Sequence, residues 1–125
     1  MLPGVRSTQW DGIRKETTMS DQPSLISKAF QAFTSEAPQH AQAWGSMVQG
    51  LAGSSALDRR TSALAYLAVL AAMRLESGIP FHVKAAKQYG ATREEVISAT
   101  LLGLPAAGLG VTQALPAAIA AYDAG

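Results

Sequence analysis

The sequence predicts an all-α fold, and three features of the chain lead to that prediction. Apolar residues recur at intervals of three and four along most of the chain, which is the spacing of one helix face. Proline and glycine stand at the borders of these segments, where helices begin and end. No segment shows the alternation of apolar and polar residues that is typical of strands. We therefore expect five to six helices around a buried central helix.

Length and composition favour one oligomeric domain. The chain has 125 residues, of which 48% are hydrophobic and only 15% are charged, and its formal net charge is +1. One hydrophobic core accounts for a chain of this length. The low charge content indicates that another subunit covers part of the apolar surface. Because the charges form no block or stripe, nucleic acid and anionic membranes are poor candidates as partners.

The first 22 residues differ in character from the rest of the chain. They mix Pro, Gly, Ser and Thr with balanced charges and show no apolar period. We therefore expect residues 1–22 to form a flexible arm, with the helical domain at residues 23–125. No apolar segment typical of a secretory signal stands at the N-terminus, so a cytoplasmic location is expected.

Two helices are predicted after the arm. The first covers residues 24–36, with Ser24 as its N-cap. Pro38 begins the second helix, because proline is favoured in the first helical turn. Gly50 and Gly53 are expected to end it, because glycine is common just past the last turn.

Residues 63–73 form the predicted central helix, since all eleven are apolar. A helix without a polar face is covered by neighbours all round, and this one is too short to cross a membrane. Asp58 is its predicted N-cap. Arg59 and Arg60 in the first turn oppose the helix dipole, which favours carboxylate partners elsewhere in the fold.

A break and a further helix follow the central helix. Residues 77–78 are expected to end the central helix, and Pro80 to begin the next one. The spacing places Phe81 and Tyr89 on or near the inward face of this helix. Gly90 is expected to end it.

The last third of the chain is almost entirely apolar. Thr92 and Glu95 have the spacing of a capping box, which predicts the start of a helix. Residues 101–122 would be long enough to span a bilayer. Their many Ala and Gly residues, Pro105 and the lack of flanking basic residues favour a buried or intersubunit region instead. A final helix is expected over residues 111–122.

The side chains available limit the chemistry. The chain contains no cysteine, which excludes disulfides, thiolate metal sites and thiol redox catalysis within it. With only His40 and His82 and few carboxylates, no metal site is expected. No cofactor is expected either.

His82 is the leading candidate for catalysis, because a helix N-terminus favours the neutral imidazole that suits a general base. A Ser–His pair needs a third group to orient the base, so Ser77 and Glu76 are weaker catalytic candidates. Arg74 and Trp44 are candidate substrate-binding residues. The alternative is structural: His82 packs, Trp44 anchors the core, and the residues of the break are solvated.

One segment resembles a known family. His82 to Glu95, HVKAAKQYGATREE, fits the pattern H-x-x-A-A-x-x-x-G-A-T-x-E-E of the carboxymuconolactone decarboxylase and alkylhydroperoxidase D-like (AhpD-like) family. Together with LDRRTSALAYLAVLAAM before it and the Gly108 region after it, the resemblance covers residues 57–122. It implies an all-helical domain that assembles with itself into a homotrimer or homohexamer.

The family includes two kinds of chemistry. The peroxidase branch uses two cysteines and a glutamate at positions that correspond to Leu75, Gly78 and Ala63, so this chain is not a thiol peroxidase. The decarboxylase branch needs neither cysteine nor cofactor. The resemblance thus implies decarboxylation or proton transfer on a small carboxylated or lactone substrate, with His82 as acid/base. The alternative is a non-catalytic small-ligand-binding or structural oligomer of the same fold.

Overall fold

The computed structural model describes residues 26–125, and the regular structure in this range is entirely helical. The predicted all-α fold class is therefore confirmed. Within this range, residues 26–56 belong to one compact unit and Leu57–Gly125 form a second. The predicted arm, residues 1–22, lies outside the described residues, and the domain boundary at residue 23 stays a prediction.

Helix α1 (Lys28–Glu36) begins at a different serine from the one predicted. Its N-cap is Ser27, whose hydroxyl oxygen accepts a hydrogen bond from the Phe30 amide at 3.1 Å. This bond satisfies one of the amides that the first helical turn leaves without a partner. The prediction of Ser24 as the N-cap of this helix is thus wrong.

Helix α2 (Pro38–Ser54) begins at Pro38, as predicted, but continues past Gly50 and Gly53. A glycine ends a helix when it adopts the left-handed conformation. Neither of these two glycines has a positive φ, so the helical hydrogen bonds continue through both positions.

The second unit contains five α-helices and two 3₁₀ segments. In chain order they are α3 (Arg59–Ala72), a 3₁₀ turn (Glu76–Gly78), α4 (Ile79–Gln88), α5 (Arg93–Leu101), α6 (Leu104–Ala107), a 3₁₀ segment (Leu109–Ala114) and α7 (Leu115–Asp123). Helix α3 packs against α4 and α5, and α7 packs against the same two helices. The largest buried side chains of this core are Leu67, Ile79, Val83, Val96, Thr100 and Val111.

Local capping signals predict the starts of α3 and α5 correctly. The Asp58 carboxylate accepts a hydrogen bond from the Thr61 amide at 2.7 Å. Thr92 and Glu95 form both hydrogen bonds of the capping box. Glu95 also pairs with Arg60, which supplies the expected carboxylate partner. The Thr92 amide and the Arg60 guanidinium hold the pKa of Glu95 below its usual value.

Helix α3 is covered on only part of its circumference by the described residues. Leu67 and Ala71 are fully buried, but Tyr66, Val69 and Met73 are 47%, 49% and 64% exposed. The prediction of a central helix buried all round is therefore wrong for the chain by itself. The physical reason is that α4 and α5 pack against the buried side, and no described helix of this unit covers the other. We call Tyr66 and Val69, together with Met73 at the C-cap, the exposed α3 face.

The apolar tail is broken more often than the sequence predicts. Residues 111–114 belong to the 3₁₀ segment, and α7 begins only at Leu115. Pro116 explains this start, because a proline in the first turn of α7 is favoured but would clash inside a helix running from Val111. No helix within residues 26–125 combines the length and hydropathy needed to cross a membrane.

Tyr122 links α7 to α4 and to the residues that follow α4. Its hydroxyl donates a hydrogen bond to the carbonyl of buried Ala91 at 2.8 Å. The Lys87 ammonium donates to the Tyr122 carbonyl at 2.8 Å and lies 4.6 Å from the ring centroid. These contacts join the C-terminal helix to the helix that carries His82.

Replacing Tyr122 with phenylalanine is expected to lower the free energy of unfolding by about 1 kcal/mol, because the Ala91 carbonyl then loses its donor. Tyr89→Phe is the matched control. Tyr89 is an exposed residue whose hydroxyl accepts only a long hydrogen bond, 3.4 Å, from Arg59, so a smaller change is expected. Urea denaturation of both variants measures the difference, and equal losses would contradict the role given to Tyr122.

Candidate functional site

His82 lies in the first turn of α4 and contacts two aromatic rings. The centroid of its imidazole is 4.7 Å from the ring centroid of Tyr66 on α3. Phe81 approaches it edge-on, with centroids 5.1 Å apart. The nearby Gly78 leaves space beside the imidazole, since a Cβ there would lie 3.9 Å from Cδ2. His82 is thus half-buried among aromatic groups at the break between α3 and α4.

The surroundings of His82 favour its neutral form. Burial lowers the pKa of the imidazole below its ordinary value of 6.5. Its ring nitrogens form no hydrogen bond with any residue in the described range 26–125. At pH 7 the imidazole is therefore neutral, and its basic nitrogen is available to a ligand.

The lowered pKa of His82 makes a prediction about stability. Between pH 6.5 and the lower pKa of the folded state, the unfolded chain binds more protons than the folded chain. The free energy of unfolding is therefore expected to fall as the pH is lowered through this window. His82→Gln should remove that part of the pH dependence, whereas His40→Gln should leave it. Denaturation between pH 7.5 and pH 5 measures this, and an unchanged slope in His82→Gln would contradict it.

Helix α3 ends earlier than predicted. Its last residue is Ala72, and the chain leaves the helix through Arg74, which has a φ of 60°. The Arg74 amide donates to the Ala71 carbonyl at 3.2 Å and the Leu75 amide to the Leu70 carbonyl at 2.9 Å. These two bonds form a Schellman motif, in which Arg74 occupies the position usually held by glycine.

The predicted end of the helix at residues 77–78 is thus wrong, because Arg74 closes it first. No local preference of arginine predicts this left-handed backbone conformation. It costs a residue that has a Cβ about 1 kcal/mol relative to the right-handed conformation. Ser77 lies instead in the 3₁₀ turn, exposed to solvent.

The carboxylate of Glu76 pairs with Arg74 and not with His82. The Arg74 Nε donates a hydrogen bond to Glu76 Oε2 at 2.7 Å. Among the residues the structure describes, neither Glu76 nor Ser77 is hydrogen-bonded to His82. The structure therefore brings Arg74 and Glu76 together but forms no Ser–His–Glu arrangement. The catalytic roles suggested for Glu76 and Ser77 remain predictions.

Phe81 in α4 and Tyr89 at the C-cap of this helix are more exposed than predicted. Phe81 and Tyr89 were expected on or near the inward face, but both are exposed. The inward positions are occupied by Val83 and Ala86, which are fully buried. Phe81 is therefore available beside His82, and Tyr89 is near Arg59, with the guanidinium carbon 5.7 Å from the ring centroid.

Trp44 belongs to the other compact unit, in α2. Its indole ring packs edge-on against Phe30 and Phe33 of α1, with centroids 5.4 Å and 6.3 Å apart. These contacts favour its role as a packing anchor of the two helices. Its role as a substrate-binding residue stays a prediction.

Tyr66 is the site residue that sequence reasoning missed. It lies sixteen positions before His82 within an apolar run, where nothing distinguishes it from a core residue. Only the packing of α4 against α3 brings its ring to the imidazole. Within residues 26–125 no three His, Cys, Asp or Glu side chains are grouped as metal ligands would be.

The second unit therefore defines a class: an all-helical, cysteine-free domain whose candidate site is a desolvated histidine at a helix break. The comparisons with known families give the same assignment more specifically. The model of the carboxymuconolactone decarboxylase family matches residues 38–122, more than half of the chain. The chain belongs to this family. The match extends the resemblance, which began at residue 57, to include α2.

Neither the comparison with curated proteins nor the comparison with solved structures gives a match.

Proposed function

We propose that this chain is a cofactor-independent acid/base catalyst acting on a small carboxylated or lactone substrate. The reaction is decarboxylation or a related proton transfer. The observation that carries this proposal is the neutral, half-buried imidazole of His82, whose nitrogens are not hydrogen-bonded to the described residues. Such a group can exchange a proton with a bound substrate near pH 7.

The two reactions place the proton differently. In decarboxylation the bond to the carboxylate carbon breaks, carbon dioxide leaves, and the electron pair is delocalised into the lactone ring before a carbon is protonated. In proton transfer, one substrate carbon loses a proton and another gains it. The His82 imidazole must be protonated before it can donate, whereas its neutral form can accept a proton directly. The lowered pKa therefore suits proton transfer, in which neutral His82 first accepts a proton from the substrate. In decarboxylation His82 would first take a proton from solvent and then donate it to carbon.

Other residues near the break fit the binding of such a substrate. Tyr66 and Phe81 offer apolar rings beside the imidazole, which would exclude water from one side of it. Arg74 offers a planar cation that is suited to carboxylates. We propose it as the carboxylate-binding residue of the site.

A second candidate function is a non-catalytic small-ligand-binding or structural oligomer. Two observations favour it. His82 has no polar partner in residues 26–125 to orient it as a base, and the exposed α3 face is apolar. An apolar face of this kind is typical of an intersubunit surface. We propose a homotrimer or homohexamer under either function, in the cytoplasm.

The test of catalysis is the release of carbon dioxide from 4-carboxymuconolactone by the purified wild-type chain, measured against buffer alone. Turnover above the uncatalysed rate supports the acid/base function. Binding of the lactone without turnover contradicts it and supports the second candidate.

A further inference from the structure

The backbone at the end of α3 places Arg74 at some cost to the fold. Arg74 is the only residue other than glycine with a positive φ in the described part of the chain. Helix α4 ends in the same motif, with the Ala91 amide donating to the Ala86 carbonyl at 3.0 Å. There the left-handed position is held by Gly90, with a φ of 95°. Of two equivalent helix ends, one thus has glycine in the left-handed position and the other has arginine, and such strain at a residue other than glycine is typical of a functional side chain.

A second glycine makes room for that guanidinium. A Cβ on Gly110 would lie 3.3 Å from Arg74 Nη1 and 3.7 Å from Arg74 Cδ. Gly110 is not in the left-handed region, so its backbone conformation does not require glycine. The space beside its Cα accommodates the Arg74 side chain. The backbone conformation of Arg74 and the space beside Gly110 together favour the observed position of this cation.

Most of the hydrogen-bond donors of the Arg74 guanidinium have no acceptor among the described residues. Of the five guanidinium N–H donors, the one on Nε bonds to Glu76 Oε2, and no other described residue accepts a hydrogen bond from the guanidinium. The side chains of Arg74 and Glu76 are 49% and 34% exposed. An exposed ion pair with a single hydrogen bond contributes little to stability and is readily exchanged. A bidentate carboxylate ligand would form more bonds with the same cation.

We propose that Glu76 is an internal competitor for the carboxylate site of Arg74. In the free protein the Glu76 carboxylate bonds to the guanidinium, and a carboxylated ligand binds by displacing it. Glu76 then regulates affinity rather than catalysis. This inference rests on the proposed function in one respect, namely that Arg74 binds the carboxylate of a small molecule.

The experiment is a titration of the isotope-labelled chain with benzoate, followed by the amide resonance of Gly110. Benzamide, which has the same ring but no charge, tests whether the carboxylate is recognised. Glu76→Gln is expected to bind benzoate about two- to fivefold tighter than wild type, because the competing charge is gone. Glu94→Gln removes the same charge from an exposed position on α5 and is expected to leave the affinity unchanged.

Arg74→Gly is the complementary variant. Glycine fits the left-handed position, so the melting temperature should be maintained or raised. Benzoate affinity should nevertheless fall at least tenfold, since the charge-assisted hydrogen bonds are lost. Loss of binding without loss of stability separates recognition from a structural role.

Three results would overturn the inference. The first is that Glu76→Gln and Glu94→Gln bind benzoate with equal affinity. The second is that Arg74→Gly binds benzoate as tightly as wild type. The third is that the wild-type chain does not distinguish benzoate from benzamide, because it binds both equally or binds neither. Lack of turnover with 4-carboxymuconolactone, while the expected benzoate affinities are found, contradicts only the proposed catalysis. Turnover together with weakened benzoate binding in Arg74→Gly but unchanged affinity in Glu76→Gln contradicts only the inference about Glu76.

Discussion

His82→Ala is expected to lower kcat/KM for 4-carboxymuconolactone by about 10²–10⁴-fold, the usual contribution of a positioned general acid or base. The substitution removes the imidazole that lies between Tyr66 and Phe81 and leaves no other titratable group in its place. Turnover is measured as carbon dioxide released under conditions where the wild-type rate is proportional to enzyme concentration. A loss confined to KM would indicate binding and not proton transfer.

His40→Ala is the matched control for this prediction. His40 is the only other histidine in the chain and is exposed on α2, so its removal should leave kcat/KM unchanged. Equal rates for wild type and His82→Ala would remove His82 as the catalyst. The melting temperature of both variants shows whether a lost rate reflects lost folding.

The pH profile of kcat/KM gives the direction of proton transfer. If His82 acts first as a base, the rate is constant near pH 7 and falls as the pH decreases through a value below 6.5, because the pKa of His82 is lowered. If the imidazolium donates the proton after carbon dioxide leaves, the rate falls instead as the pH rises through the same value. We expect the first profile for a proton-transfer reaction and the second for decarboxylation, because only the protonated imidazole can donate to carbon.

The parts of the fold that the sequence predicts well depend on contacts close in the chain. Asp58 caps α3 through an amide three positions away, and Thr92 and Glu95 reach each other over the same spacing. Gly90 is the residue that its conformation requires. Such signals are local, so side-chain type and spacing suffice to predict them.

The errors arise where the determining interaction is not local. The end of α3 depends on Arg74 in a conformation that arginine rarely adopts, and two nearby hydrogen-bond donors, Arg74 and His82, could have paired with the Glu76 carboxylate. Spacing alone does not choose between them, whereas in the structure the Glu76 carboxylate accepts a hydrogen bond from Arg74. Tyr66 enters the site only because α4 packs against α3. The candidate site could therefore be located from the sequence, but its contacts could not.

The exposed α3 face is a further feature that depends on contacts distant in the sequence. An all-apolar helix predicts complete burial but does not identify which molecule covers it. Within the described residues, α4 and α5 cover one side of α3 and leave Tyr66, Val69 and Met73 exposed. These three positions have the i, i+3, i+7 spacing of a single helix face. Their burial in an oligomer would reconcile the pattern with the structure.

Val69→Arg is accordingly expected to convert the proposed trimer or hexamer into a monomer. In the separate chain, an arginine at Val69 would extend into solvent, and arginine is at least as good a helix former as valine. In an apolar interface the same charge would be buried without a partner, which is strongly unfavourable. Light scattering coupled to size-exclusion chromatography measures the molar mass of both proteins.

Ser98→Arg provides the control, because it adds the same charge at an exposed polar position on α5. Its molar mass should equal that of wild type. A monomeric wild-type chain, or a Val69→Arg variant that keeps the wild-type mass, would contradict an interface on this face. Since Tyr66 lies on the same face and its ring contacts His82, the interface would border the candidate site. Dissociation by Val69→Arg should therefore also lower turnover. A fully active monomer would show that the candidate site does not depend on the interface.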